Sequence, residues 1–154
     1  MAEPPYLLDT SVLLPLIRGK ELGRYIDTTY KLSSQPGRHL ICSVTHGEIL
    51  ALAAANGWGP AKRGALQRML ESLVTVDIYD DDVITCYVEM VTASRAYPRG
   101  SREKMGQNDL WIAAVTKATS AVLLTADKDF DHLHPAHIQR IYIDPGSCLV
   151  SDLH

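Results

Sequence analysis

The feature that most constrains this chain is an alternation between short, continuously apolar segments and longer segments with helical period. The short segments are rich in Leu, Ile and Val. They are Tyr6–Leu8, Leu40–Cys42, Val76–Ile78, Ala121–Thr125 and Ile141–Ile143. Such short apolar runs are typical of strands in a parallel sheet that is buried on both faces.

Helical patterns fill the intervals between these segments. One helix is expected around Leu22–Thr29, a second after Pro60 and a third from Asp80 until Pro98. Alternating strands and helices predict an α/β fold, with a five-stranded, mostly parallel sheet in a three-layer α/β/α sandwich. The 154 residues and the absence of a linker-like or repeated segment favour a single domain over residues 1–154.

The charge balance excludes a protein that coats nucleic acid through a strongly basic surface. Fifteen Lys and Arg against eighteen Asp and Glu give a net charge of −3. An enzyme that handles phosphates through metal ions stays possible, since bound cations would supply the missing positive charge.

The cysteines and the apolar runs indicate in which compartment the protein is expected. Cys42, Cys86 and Cys148 are odd in number and form no CxxC pair, as expected of reduced thiols in a cytoplasmic protein. The N-terminus lacks the pattern of a signal peptide, and no apolar run approaches the roughly 20 residues of a membrane helix. We therefore expect a cytoplasmic protein without a membrane span.

Four acidic residues are expected at one edge of the sheet. Asp9 follows the first strand, Asp127 follows the fourth, and Glu48 lies in the first turn of the helix after the second. Asp109 begins the helix before the fourth strand, and that helix starts at the edge where the strands finish. Because ligands of open α/β sheets bind at this carboxyl edge, the four side chains are candidates for one site.

Converging carboxylates repel one another unless cations neutralise them. Oxygen ligands select hard ions, so the pattern predicts Mg²⁺ or Mn²⁺ as the cofactor. Such sites commonly hydrolyse phosphodiesters, because the metal activates water and stabilises charge on the phosphate oxygens. Thr10, Ser11 and Thr125 are placed to orient the carboxylates.

Each acid also has a purely structural interpretation. Asp9 is a preferred helix cap, and Thr45 with Glu48 has the spacing of a capping box. Acids at a helix start or in a turn, such as Asp109 and Asp127, are common. Asp80–Asp82 need no explanation beyond the helix dipole. The shared edge of the four acids, rather than any one of them, favours a site.

Four segments together resemble the signature motifs of PIN-domain ribonucleases, especially the VapC-type toxins of prokaryotic toxin–antitoxin pairs. They are Leu8-Asp9-Thr10-Ser11, Thr45-His46-Gly47-Glu48-Ile49, Asn108-Asp109-Leu110-Trp111-Ile112-Ala113-Ala114 and Thr125-Ala126-Asp127-Lys128-Asp129-Phe130. The resemblance implies Mg²⁺- or Mn²⁺-dependent RNA cleavage, a homodimer and an antitoxin partner. It also implies that Asp9, Glu48 and Asp109 are the core metal-binding acids and Asp127 the fourth, with Asp129 as the alternative.

Weaker features surround these motifs. Arg95, Arg99, Arg102 and Lys104 precede Asp109 and are candidates to contact RNA phosphates, although a solvated charged loop would look the same. The histidines of residues 132–137 could suggest zinc, but without a fourth ligand at regular spacing a solvated loop is the better interpretation.

Two other functions compete with a metal-dependent endoribonuclease. A catalytically silent PIN-like module for RNA binding or assembly would typically have lost an acid, and none is missing. A phosphoryl-transfer or receiver domain would present a second acid beside Asp9, where this chain has Thr10 and Ser11.

Overall fold

The computed structural model describes residues 3–98 and 105–146. Five strands form one sheet: β1 Tyr6–Leu8, β2 Leu40–Cys42, β3 Val74–Val76, β4 Val122–Thr125 and β5 Gln139–Tyr142. Six α-helices accompany them: α1 Thr10–Arg18, α2 Glu21–Tyr30, α3 Ser43–Ala55, α4 Pro60–Ser72, α5 Asp81–Ala96 and α6 Gln107–Ala118. A 3₁₀ helix spans Lys128–Leu133. None of the helices in these two ranges could cross a membrane.

The sheet has the strand order β3-β2-β1-β4-β5, and every pairing is parallel. β1 is central, with β2 on one side and β4 on the other. The direction of winding therefore reverses between β1 and β4, and ligand crevices of open α/β sheets form at such a point. The predicted α/β sandwich is confirmed, with a sheet that is parallel throughout.

Alternate residues of the central strands are buried on opposite faces of the sheet. Leu7 and Leu123 contribute to a core with α5 and α6, whereas Leu8 and Leu124 contribute to a core with α1, α2 and α4. All four side chains are completely buried. Burial on both faces explains why these strands are continuously apolar in sequence.

The strand predictions were accurate in the interior of the sheet and wrong at its edges. β3 begins and ends two residues before the predicted Val76–Ile78. Asp77 ends this strand because its carboxylate accepts a hydrogen bond from the backbone N–H of Tyr79 at 2.9 Å. β5 begins at the polar residue Gln139, two residues before the predicted start. Edge strands are exposed along one side, so apolar content locates them poorly.

The helix predictions agree with the structure at their starting residues. Pro60 occupies the first position of α4. Asp80 caps α5, where its carboxylate accepts hydrogen bonds from the backbone N–H groups of Asp82 and Val83. α5 ends at Ala96, two residues before Pro98.

Candidate active site at the carboxyl edge of the sheet

Asp9 follows β1 at the winding reversal and is 5% exposed. Its Oδ2 accepts hydrogen bonds from the Ser11 hydroxyl at 2.7 Å and from the Thr125 hydroxyl at 2.9 Å. Each hydroxyl in turn accepts a backbone N–H, that of Ala126 for Ser11 and that of Asp127 for Thr125, both at 2.9 Å. The two hydroxyls thus fix the Asp9 carboxylate between β1 and β4.

Burial raises the pKa of the Asp9 carboxyl, and the nearby charge of Asp127 raises it further. Hydrogen bonds from Ser11, Thr125 and the Thr10 backbone lower it without cancelling the effect of burial. The predicted orienting role of Thr10 is therefore limited to its backbone. Its hydroxyl is buried without a hydrogen-bond partner.

Glu48 lies in the second turn of α3 and is partly buried. Burial raises the pKa of its carboxyl, and the charge of Asp9 adds to the increase. The capping-box interpretation is wrong, and so is the placement of Glu48 in the first turn. The chain enters α3 directly from β2, with Cys42 as the N-cap, so Thr45 lies inside the helix.

Asp109 lies in the first turn of α6 and is the electrostatic centre of the cluster. Burial, followed by the charges of Asp9, Asp127, Asp129 and Glu48, raises its pKa to about 7. All four other acids therefore act on this one carboxyl. Near neutral pH the metal-free Asp109 is protonated in a substantial fraction of molecules.

Asp127 and Asp129 lie in the turn that leads from β4 into the 3₁₀ helix. The Asp127 Oδ1 accepts a hydrogen bond from the Asp129 backbone N–H at 2.9 Å. Carboxylate oxygens of Asp109, Asp127 and Asp129 lie within 4.8 Å of one another, with Asp129 the exposed member. The structure therefore brings both candidates for the fourth acid into the cluster.

Among the described residues, no ion pair supplies a cation to the core acids of the cluster. Two ion pairs occur within residues 3–98 and 105–146, Lys117 with Glu89 and Arg140 with Asp131. Neither pair includes Asp9, Glu48, Asp109 or Asp127. A set of carboxylate oxygens with raised pKa values is suited to a hard divalent cation, which would replace the missing positive charge.

One residue of the site was missed in the sequence. The side chain of Asn108, at the start of α6, lies near the Glu48 carboxyl and lowers its pKa, which opposes the effect of burial. Its place next to Asp109 was the only signal, because the contact depends on how the two helices pack.

Of the basic residues expected to contact RNA, Arg95 lies in the described part of the chain and is exposed in the last turn of α5. The hydroxyl of the neighbouring Ser94 lies 3.9 Å from the Met105 Sδ, so α5 ends beside the start of α6, the helix that carries Asp109. Arg99, Arg102 and Lys104 lie outside the described residues.

The histidines of residues 132–137 do not form the expected solvated loop. His132 Nε2 lies 3.2 Å from the Ser94 hydroxyl, and His134 Nδ1 accepts the backbone N–H of Arg140 at 3.1 Å. All three histidines are partly buried. Within the described ranges, Asp109, Asp127 and Asp129 are the one group whose ligand atoms lie close enough together to hold a metal ion.

A doubly wound parallel sheet with acids at its winding reversal defines a class of α/β domains suited to binding a divalent cation. The family follows from comparison. A family model described as PIN domain matches residues 6–134, and the chain belongs to the PIN domain family. A comparison with curated proteins gave no match.

Solved structures of VapBC toxin–antitoxin systems share the fold. VapBC2 from Rickettsia felis, bound to a DNA fragment from its promoter, matches with a TM-score of 0.71 and 19% identity over 90% of this chain and 98% of that chain. VapBC-5 from Mycobacterium tuberculosis matches with a TM-score of 0.61 and 24% identity over 92% of this chain and 100% of that chain.

A third similar structure is that of a toxin whose cleavage target is stated. VapC20 of Mycobacterium tuberculosis, a toxin that cleaves the sarcin–ricin loop, matches with a TM-score of 0.58 and 16% identity over 87% of this chain and 98% of that chain. The resemblance to PIN-domain proteins with the fold of VapC-type toxins, predicted from the four motifs, is thus confirmed.

Proposed function

We propose that this protein is a Mg²⁺- or Mn²⁺-dependent endoribonuclease and the toxin of a type II toxin–antitoxin system. It would act as a single PIN-like domain over residues 1–154, in the cytoplasm and as a homodimer. Its partners would be an RNA substrate and a cognate antitoxin. Support for the antitoxin comes from the structural neighbours, which are complexes of toxin with antitoxin.

The observation that carries the proposal is the convergence of carboxylates: oxygens of Asp109, Asp127 and Asp129 lie within 4.8 Å of one another. Burial and the four surrounding acids accordingly raise the pKa of Asp109 to about 7. A cluster of this kind costs folding free energy when it ionises, and a structural role would not require that cost. A bound divalent cation would remove the cost and so explains why the acids converge.

Asp9, Glu48, Asp109 and Asp127 would hold the metal, and Asp129 is placed to join them. When bound, the metal would stabilise negative charge on the phosphate oxygens and lower the pKa of the attacking water. Ser11 and Thr125 direct the Asp9 carboxylate through Oδ2. Since Asp109 holds a proton in part of the metal-free molecules, metal binding near pH 7 releases protons.

The test is incubation of the purified protein with total RNA, with Mn²⁺ or with EDTA, followed by sequencing of the new RNA ends. We expect cleavage at defined positions with Mn²⁺ alone. Asp109→Asn should abolish it. Asp82→Asn is the matched control, because Asp82 also lies in the first turn of a helix but outside the cluster, and it should cleave like the wild type.

Two results would overturn the proposal. Cleavage that persists in EDTA would show that the acids do not act through a metal. Binding of RNA without any new ends, in Mg²⁺ and in Mn²⁺, would instead establish a silent RNA-binding module.

A further inference from the structure

A polyanionic substrate has to approach an edge of the sheet that carries five acids. Arg18 and Lys117 lie in the last turns of α1 and α6. Both helices start at the carboxyl ends of the strands, so these two cations lie toward the amino ends. A phosphate at the acidic edge needs a cation from another element.

Lys128 is a cation located at the acidic edge itself. It begins the 3₁₀ helix directly after Asp127. Its Nζ lies 5.7 Å from the centre of the Tyr142 ring. Tyr142 ends β5 and is paired in register with Thr125, whose hydroxyl binds the Asp9 carboxylate. The ring thus places the ammonium group beside the acids.

The ammonium of Lys128 also remains available to a ligand. Two acids flank it in sequence, yet neither ion pair among the described residues includes Lys128. Lys128 is exposed and Tyr142 is partly buried, so a fixed ring supports a charge that faces solvent. An ammonium over an aromatic face keeps free N–H donors for an anion.

We propose that Lys128, supported by Tyr142, binds a backbone phosphate of the RNA strand next to the acidic cluster. This inference rests on the proposed nuclease function and adds a phosphate subsite to it. The metal would engage the phosphate at the acids, whereas Lys128 would engage a neighbouring phosphate by charge alone. Such a contact positions the strand without reading its sequence.

The experiment measures RNA affinity as a function of salt, with Ca²⁺ in place of Mg²⁺ and gel analysis to verify that the RNA stays intact. Each phosphate contact on a single strand contributes about 0.7 to the slope of log Kobs against log salt. Lys128→Gln should reduce the steepness by about that amount. Lys128→Arg should retain the slope, because it keeps the charge.

The chain offers a matched control in Lys62, whose Nζ lies 4.0 Å from the centre of the Trp58 ring. Lys62→Gln removes an equivalent cation over an aromatic ring, at the start of α4 rather than at the acids, and should leave the slope unchanged. Tyr142→Leu removes the supporting ring and should weaken RNA binding more than Tyr142→Phe, which retains it.

Equal slopes for the wild type and Lys128→Gln would overturn the subsite. Equal losses for Lys128→Gln and Lys62→Gln would also overturn it, since the effect would then be one of net charge. Cleavage of total RNA by the wild type in Mn²⁺ is measured in parallel. If cleavage occurs and the slopes are equal, the subsite fails and the nuclease stands. If cleavage is absent and the slope falls, the nuclease fails and a phosphate-binding lysine stands.

Discussion

Ionisable groups at the two ends of the sheet differ in whether the chain supplies partners for them. At the amino end, His39 is 1% exposed and precedes β2. Its Nδ1 accepts the Tyr6 backbone N–H at 3.1 Å, its Nε2 lies 3.2 Å from the Gln35 Oε1, and its ring stacks on Tyr6. At the carboxyl end, Asp9 is buried and Glu48 and Asp109 are partly buried beside other carboxylates, and neither ion pair among the described residues includes them.

The pKa shifts express this contrast. Burial and the charge of Arg38 lower the pKa of His39, and both ring nitrogens have partners within the chain. Burial and mutual repulsion raise the pKa values of the acids. A buried polar group that serves folding finds its partners in the chain, whereas one that serves a ligand leaves that capacity unfilled.

The largest expected effect is that of Asp9→Asn. Removing a carboxylate that is proposed to hold the metal should reduce Mn²⁺-dependent RNA cleavage by at least about 100-fold. The metal-free variant should be as stable as the wild type or more stable in urea, since repulsion in the cluster falls. Asp80→Asn, at the N-cap of α5, is the control. If Asp9→Asn cleaves RNA like the wild type, the acids at the carboxyl end do not serve a metal, and the contrast with His39 at the amino end is refuted.

Substitution of His39, at the amino end of the sheet, should lower the stability of the fold and leave RNA cleavage unchanged. His39→Leu leaves the Tyr6 N–H without its acceptor and should cost about 1–3 kcal/mol in the free energy of unfolding. RNA cleavage per folded molecule should stay unchanged, because His39 lies at the end of the sheet away from the acids. Urea denaturation and an RNA-cleavage assay measure the two quantities. A loss of cleavage without a loss of stability would contradict this prediction.

A smaller effect is expected from Asn108→Ala. Asn108 lowers the pKa of the Glu48 carboxyl, so without its amide the carboxylate should be less well oriented and the affinity for Mn²⁺ should fall about 10-fold. Calorimetry measures this affinity without RNA. Gln107→Ala, an exposed neighbour on α6, serves as the control and should bind Mn²⁺ like the wild type. Equal affinities for the two variants would show that Asn108 does not position Glu48.

The smallest effect is a pH dependence of stability. The pKa of Asp109 is raised from 3.8 to about 7, so the metal-free folded state binds more protons than the unfolded state between these values. Its contribution therefore lowers stability as pH rises through this window. His39, with its lowered pKa, acts in the opposite direction and raises stability as pH increases toward 6.5.

A thermal melt therefore has to compare the wild type with Asp109→Asn. Relative to this variant, the metal-free wild type should lose several degrees in Tm between pH 5 and pH 8. Mn²⁺ should raise the Tm of the wild type more at pH 8 than at pH 5, because protons compete for the same carboxylates. Parallel pH profiles for the two proteins would contradict the assigned electrostatics of Asp109.

The sequence predictions were accurate for strands that are buried on both faces and inaccurate for the strands at the edges of the sheet. β1 and β2 were bounded correctly, because burial on both faces demands apolar residues throughout. β3 and β5 were displaced, because edge strands accept polar residues such as Gln139 and exposed ones such as Val74. The capping-box interpretation was wrong because the spacing of Thr45 and Glu48 does not reveal that β2 leads directly into α3.

The sequence by itself determined the parallel α/β architecture, since apolar period and helix starts are local properties that burial enforces. It also determined which acids would share an edge, because parallel strands end on one side. Only the tertiary structure decided that Asp109 is the electrostatic centre, that Asn108 lies beside Glu48 and that Lys128 lies over Tyr142. These contacts join elements distant in sequence, and packing rather than local pattern sets their distances.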